Sequence, residues 1–178
     1  MSVIRVHDKN FEPYLTAQEI QDAVKRLAES ISNDYRGKRP LFVAILNGAF
    51  MFASDLFRNL SIEAEISFIK LASYKGTKST GRVLTAIGLD ADIYQKHVII
   101  VEDIVDTGKT LTKFLPQLTH QQPASIKICA LLHKPEATVN PVTIDYLGFT
   151  IPNKFVVGYG LDYDGLGRNI PEIYRLTE

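Results

Sequence analysis

The fourteen residues Val98–Leu111, VIIVEDIVDTGKTL, carry the side chains with the most chemistry in the chain. Glu102, Asp103 and Asp106 come after four aliphatic residues, and Thr107-Gly108-Lys109-Thr110 follows directly. A turn that joins an apolar strand to a helix collects anions, because the first amides of the helix point outward unpaired and its dipole favours negative charge there. Gly108 lets the backbone approach a phosphate closely, and Thr107 and Thr110 add hydroxyl donors. Three acids beside that site would repel phosphate unless they face something else. Ionised carboxylates only accept hydrogen bonds and prefer hard cations, so sugar hydroxyls and a divalent cation are their natural partners. The motif asks for a ligand with both a phosphate and a diol, and a phosphorylated ribose fits.

Two other readings compete for the same residues. A Walker A loop also ends in Gly-Lys-Thr, but it needs a glycine five residues before Gly108, where this chain has Asp103. A plain helix cap would make Asp106 the N-cap residue, and one carboxylate could both cap the helix and face a ligand.

The motif needs a strand and a helix to position it, and the pattern supplies both. His97–Val101 is a continuous apolar run, as expected of a strand inside a parallel sheet covered on both faces. Residues 107–118 place Leu111, Phe114, Leu115 and Leu118 on one helical face. Further out, Thr16 and Glu19 form a capping box ahead of Ile20, Val24, Leu27 and Ile31, and Gly37 and Pro40 close that helix. Leu41–Leu46 reads as a buried strand entering Asn47-Gly48, with a helix over Ala49–Asn59. Ile62, Ala64, Ile66 and Phe68 alternate with polar residues, which predicts a strand over Ile62–Ile69 covered mainly on one face. Ser125–Leu132 is another strand, with shorter ones near Val142–Phe149 and Phe155–Gly158. Strand and helix alternate through the centre, so the fold class is α/β, an open, mostly parallel twisted sheet flanked by helices. In an open α/β sheet, ligands gather at the carboxyl ends of the strands, where the motif falls. The stretch 75–81, KGTKSTG, has no apolar anchor and reads as a solvated loop.

The totals set bounds. The 178 residues suit one domain, and 46% hydrophobic with 22% charged residues excludes a disordered chain. Twenty basic residues balance twenty acidic ones, so no net field draws the chain to nucleic acid or membrane. Cys129 is the only cysteine and lies in an apolar run, which predicts a buried structural thiol and a reducing compartment. The opening MSVIRVHDKNFEP lacks the basic-then-apolar pattern of a leader, and no run reaches the ~20 apolar residues of a membrane span, so the expected location is cytoplasmic. His7, His97, His120 and His133 show no metal-ligand spacing.

With these residues in view, the chain resembles the hypoxanthine-guanine phosphoribosyltransferases, of the type I phosphoribosyltransferase fold. The resemblance rests on VIIVEDIVDTGKTL, Ser73-Tyr74, Lys134 in LLHKP and FVVGYGLDY from Phe155 to Tyr163, and it extends from Leu46 to Arg168. It implies one domain over 1–178, with a small hood built from the terminal segments and a mobile lid at about 73–82. Glu102 and Asp103 would hold the ribose hydroxyls of phosphoribosyl pyrophosphate (PRPP), directly or through Mg²⁺. Asp106, Thr107, Gly108, Lys109 and Thr110 would cradle its 5′-phosphate. Asp106 would also face N7 of the purine as general base, or as an electrostatic partner of that proton. Phe155 would stack on the base, the Val156 backbone would read its edge, and Lys134 would donate to the 6-oxo group. Leu46, Asn47 and Gly48 correspond to a pyrophosphate loop that in this family often holds a cis peptide, with Arg168 also on pyrophosphate and Asp162 helping to place Mg²⁺. Ser73 and Tyr74 would sit on the lid.

The chain departs from the family pattern twice. Asn47 stands where many members have lysine, and Asp164-Gly165-Leu166-Gly167 is unusually rich in glycine. The implied activity is purine salvage from PRPP and a 6-oxopurine by a Mg²⁺-dependent homodimer or homotetramer. The alternatives are a nucleotide-responsive RNA-binding regulator of the same fold, and a phosphoribosyltransferase for xanthine or a pyrimidine. The balanced charge weighs against the first, and the Lys134–Phe155 pair against a pyrimidine.

Overall fold

A computed structural model describes residues 2–73, 83–89 and 91–177. The main sheet has six strands in the order β5-β4-β3-β6-β7-β8, formed by β3 (Leu41–Leu46), β4 (Glu65–Ser73), β5 (Val83–Ile87), β6 (His97–Val105), β7 (Ser125–His133) and β8 (Tyr146–Thr150). β4, β3, β6, β7 and β8 run parallel, and β5 closes one edge antiparallel to β4. The open, mostly parallel sheet expected from the sequence is therefore the one observed.

Both faces are covered, so the central strands can be apolar throughout. Along β3, Phe42 and Ala44 join Ile99, Val101, Cys129 and Leu131 in one core layer. Leu41, Val43 and Ile45 join Val98, Ile100, Ile128 and Ala130 in the other. The first layer is closed by α1 (Ala17–Asp34), through Ile20, Val24, Leu27 and Ile31, and by α2 (Phe50–Arg58), through Phe52, Ala53 and Leu56. Each of these side chains apart from Ala53 contributes about 1.5–3 kcal/mol when fully buried. The predicted capping box is present, with Thr16 Oγ1 accepting from the Glu19 amide at 3.1 Å and Glu19 Oε2 accepting from the Thr16 amide at 2.8 Å. The second layer is closed by Leu111, Phe114 and Leu118 of α3 (Lys109–Thr119) together with Ile93. Cys129 is fully buried, as its setting predicts.

A second, four-stranded antiparallel sheet forms the hood, in the order β1-β2-β10-β9. Its strands are β1 (Ile4–Val6), β2 (Lys9–Leu15), β9 (Val156–Val157) and β10 (Ile173–Leu176). It has its own small core of Val6, Phe11, Val157 and Tyr174.

Several expectations need correction. β4 begins at Glu65 rather than Ile62, and the face proposed for it is incomplete: Ile66 packs on the core but Phe68 is exposed, while Ile69 is buried on the opposite face. The strand near Val142 starts only at Tyr146, and the Phe155 strand shrinks to two residues and joins the hood. The larger change is that β6 continues to Val105, so Glu102 and Asp103 lie within the strand rather than beyond it.

Candidate active site

The site arises where two neighbouring strands part. β6 stays paired with β3 only as far as Ala44↔Val101, while its pairing with β7 continues to Val105↔His133. Past Val101 the two central strands separate, and a cavity of about 320 Å³ opens between the ends of β3 and β6 and the hood. This is the crevice at the carboxyl ends of the strands in which ligands of open α/β sheets bind.

Glu102 and Asp103 stand in its floor. Asp103 is buried and Oε2 of Glu102 is buried with no hydrogen-bond partner among the described residues. Burial raises both carboxyls above their ordinary range, and for Glu102 the neighbouring Asp103 charge adds to the effect. For Asp103, hydrogen bonds from Glu102 and the Ile104 amide and the charge of Arg168 oppose the rise. Two acids side by side in a cavity, one with an unpartnered oxygen, are a poor arrangement for the protein alone. They suit a cation or a diol that supplies what they lack. Gly48 packs so closely here that a Cβ on it would overlap the Asp103 carboxylate.

Asp106 and Lys134 form the next wall. Each follows directly on the last register pair of β6 and β7, Val105↔His133, and the Lys134 amide donates to the Val105 carbonyl at 3.0 Å. Adjacent parallel strands thus deliver an acid and a base to one spot, with Lys134 Nζ 3.9 Å from Asp106 Oδ2. Lys134 is 6% exposed, which excludes a merely solvated lysine. Phe155 lines the same cavity and is 45% exposed, so it is an open aromatic face rather than a core ring. Tyr163 meets it edge-on, with centroids 5.8 Å apart, and is itself held by donating to Asp8 at 2.8 Å. Val156 lines the cavity from β9, the edge strand of the hood, so among the described residues one side of its backbone has no strand partner.

On the opposite side, β3 ends in a cis Leu46–Asn47 bond and Gly48, the loop expected from the family resemblance. Leu46 and Gly48 line the cavity, and the Asn47 side chain is exposed. Arg168 reaches the cavity as well, donating to the Gly160 carbonyl at 2.6 Å and pairing with Asp162 at 2.8 Å. The glycine-rich stretch before it explains how it gets there. Asp164 (φ 48°) and Gly165 (φ 84°) are the two central residues of a tight hairpin turn between the bridged residues Tyr163 and Leu166, a geometry that Asp-Gly favours. The Asp162 carboxylate braces this turn by accepting from the Gly165 amide at 2.7 Å.

Asp106, Thr107, Gly108 and Thr110 line a smaller pocket of about 100 Å³ next to the main cavity, with Glu102 bordering both. Lys109 and Thr110 begin α3 with exposed side chains. The N-cap of α3 is Gly108, in the left-handed conformation at φ 75°, which has no side chain to cap the helix, and Thr107 Oγ1 accepts weakly from the Lys109 amide at 3.4 Å. The helix-cap role for Asp106 therefore does not hold, and its carboxylate is left for the cavity. Ser73 ends β4, while Tyr74 and residues 75–82 lie outside the described residues. Among the described residues no three acids, histidines or cysteines converge as a closed metal site. This set suits a cation that arrives with a substrate supplying further oxygens, the usual way that Mg²⁺ is bound.

Tyr163 as the support of Phe155 is not legible from residue types, although both lie within FVVGYGLDY. The tie between Tyr159 and Asp55, at 2.7 Å, was also not visible; it anchors the FVVGYGLDY segment to α2.

A family model described as a phosphoribosyl transferase domain matches residues 11–164. The chain is 44% identical over 165 residues to a hypoxanthine phosphoribosyltransferase from Buchnera aphidicola subsp. Schizaphis graminum, covering 91% of this chain and 93% of that one. It is 42% identical over 168 residues to a hypoxanthine-guanine phosphoribosyltransferase from Lactococcus lactis, covering 93% and 91%. Among solved structures, a hypoxanthine-guanine phosphoribosyltransferase from Bacillus anthracis superposes with a TM-score of 0.88 at 38% identity, covering 93% of this chain and 98% of that one.

Proposed function

The chain belongs to the phosphoribosyltransferase family, and from that premise we propose that it joins hypoxanthine or guanine to PRPP, giving IMP or GMP and pyrophosphate. The observation that carries the choice of base is the buried Lys134 held 3.9 Å from Asp106 beside the open face of Phe155. On a 6-oxopurine, O6 and N7 are neighbouring positions on one edge. A lysine donor suits O6, a carboxylate suits the proton on N7, and an aromatic face suits the ring. Adenine offers a donor where Lys134 also donates, so the site rejects it.

The remaining groups divide PRPP between them. The pocket lined by Asp106, Thr107, Gly108 and Thr110, with Lys109 at the start of α3, takes the 5′-phosphate, Glu102 and Asp103 take the ribose hydroxyls, and Leu46, Asn47, Gly48 and Arg168 take pyrophosphate. Asn47 lacks the charge of a lysine, so the loop contributes backbone amides and Arg168 supplies the cation. Glu102 and Asp103, with Asp162 on the pyrophosphate side, would hold Mg²⁺, which when bound neutralises charge on the leaving group. As the bond from C1 to pyrophosphate breaks, its electron pair leaves with pyrophosphate and C1 becomes cationic. N9 of the base then bonds C1, and Asp106 takes the N7 proton. Arg168 stabilises the departing charge.

Pyrophosphate release should be measured with PRPP, Mg²⁺ and, in turn, hypoxanthine, guanine, xanthine, adenine and uracil. Turnover with hypoxanthine or guanine and none with adenine or uracil is expected. Turnover confined to xanthine or uracil, or none with any base, would sink the reading.

A further inference from the structure

We infer that residues Thr138–Asn140 act as a clasp that orients the phosphate-binding amides, with Thr138 as a positioning residue that ties the phosphate pocket to the purine-reading lysine. This rests on the reading of Asp106–Thr110 as the phosphate cradle.

The segment grips the loop by its carbonyls. Thr138 Oγ1 lies 3.2 Å from the Asp106 carbonyl, and the amides of Val139 and Asn140 both donate to the Thr107 carbonyl, at 3.1 and 2.9 Å. Gly108 fits so closely against the Asn140 carbonyl that a Cβ would overlap it. In a trans peptide the C=O of one residue and the N–H of the next point in opposite directions. Two carbonyls drawn toward the clasp therefore turn the amides of Thr107 and Gly108 away from it. Both residues line the small pocket, and among the described residues neither amide donates to a protein acceptor. An unpaired amide at a pocket is a donor waiting for an anion.

Thr138 adds a second connection. Its hydroxyl is also 3.1 Å from the carbonyl of Lys134 and 3.2 Å from Nε2 of His133. One hydroxyl proton cannot serve three acceptors. The group is satisfied when His133 carries its proton on Nε2 and donates to Oγ1, leaving the hydroxyl proton shared between the two carbonyls. One side chain then fixes the backbones of Asp106 and Lys134, which belong to the ends of different strands. Binding of phosphate and reading of the base are coupled through it.

The test compares the parent with Thr138→Val, which removes the hydroxyl at nearly constant shape, and Thr138→Ser, which keeps it. Steady-state kinetics are read alongside calorimetric binding of ribose 5-phosphate and the thermal midpoint. In Thr138→Val, the KM for PRPP should rise about tenfold and ribose 5-phosphate should bind about tenfold more weakly, the scale of one lost hydrogen bond. Thr138→Ser should stay within about threefold of the parent in both. Thr138→Ala takes the place of the valine variant if that one does not fold. Unchanged PRPP and ribose 5-phosphate constants in the hydroxyl-free variant overturn the clasp, as does a serine variant impaired as much as valine. A lowered thermal midpoint with unaltered constants does the same, since it marks a purely structural contact. A parent without purine turnover would refute the proposed function, while the ribose 5-phosphate arm would still decide the clasp.

Discussion

At the scale of single residues, the site is built from groups whose surroundings leave one bond unmade. Asp106 is not taken up as a helix cap, because the N-cap of α3 is Gly108, and its partner Lys134 is buried at the limit of ion-pair distance. Replacing Asp106 by Asn keeps the shape and removes the proton acceptor. Turnover of hypoxanthine should fall by about 10²–10⁴-fold, the range for loss of a general base. The thermal midpoint should stay within about 2 °C of the parent, since the 3.9 Å pair is worth little to the fold at half-exposed Asp106. Near-normal turnover in the purified variant would remove Asp106 from its catalytic role.

At the scale of elements, the cavity is the gap left when β3 and β6 separate after Ala44↔Val101. Gly48, after the end of β3, closes against Asp103 of β6 across that gap, so the two strands are fitted to each other at one missing Cβ. In Gly48→Ala the carboxylate must swing aside. PRPP should then bind at least about tenfold more weakly, with little change in melting, because the displaced group is a short side chain and not backbone. A KM for PRPP equal to that of the parent would show that Asp103 has room to spare.

The elements were unequally legible in the sequence. Leu41–Leu46 could be placed to the residue because a strand buried on both faces is apolar throughout and stops where Asn47-Gly48 begins. The first helix was equally clear, since Thr16 and Glu19 announce its start. The far end of β6 is hidden because Glu102 and Asp103 look like the end of a strand, and acids are acceptable there because they face a cavity. The hood strands β1 and β10 are too short for a periodic signal, and Pro13 within β2 argues against a strand. Thr138–Asn140 has no sequence signal, because its grip on the Asp106–Gly108 turn runs mostly through backbone amides. Residue types could nominate Asp106, Lys134 and Phe155, but only the fold brings them to one wall.

At the scale of the whole molecule, stability and function pull against each other through Glu102. Its carboxyl is raised above the ordinary value of 4.5 by burial and by Asp103, so the folded state holds a proton that the unfolded chain releases. Stability from this group is full below pH 4.5 and is lost as pH climbs through the raised folded value. Glu102→Gln removes that dependence and pairs an amide with Asp103. Without metal or substrate, its melting temperature should exceed that of the parent by about 2–4 °C at neutral pH, the shift that goes with ~1 kcal/mol in a domain of this size. The gain should shrink toward pH 4.5, while use of PRPP is lost. A variant that melts below the parent at neutral pH would show that the acid pair is already compensated within the protein.

The Val105↔His133 register bears on which changes of length the chain can absorb. Asp106 and Lys134 meet because each stands one step past a paired position, so their meeting depends on counting residues along β6 and β7. Inserting or deleting one residue within either strand would shift one partner by a strand step of about 3.3 Å and turn it to the other face of the sheet. The pair would be lost even if the core re-formed. Between Leu118 and Ser125 the same change falls in a connection outside the two strands and leaves the count intact. Connections can therefore change length without separating Asp106 from Lys134, while the two strands that bring them together are held to a fixed count.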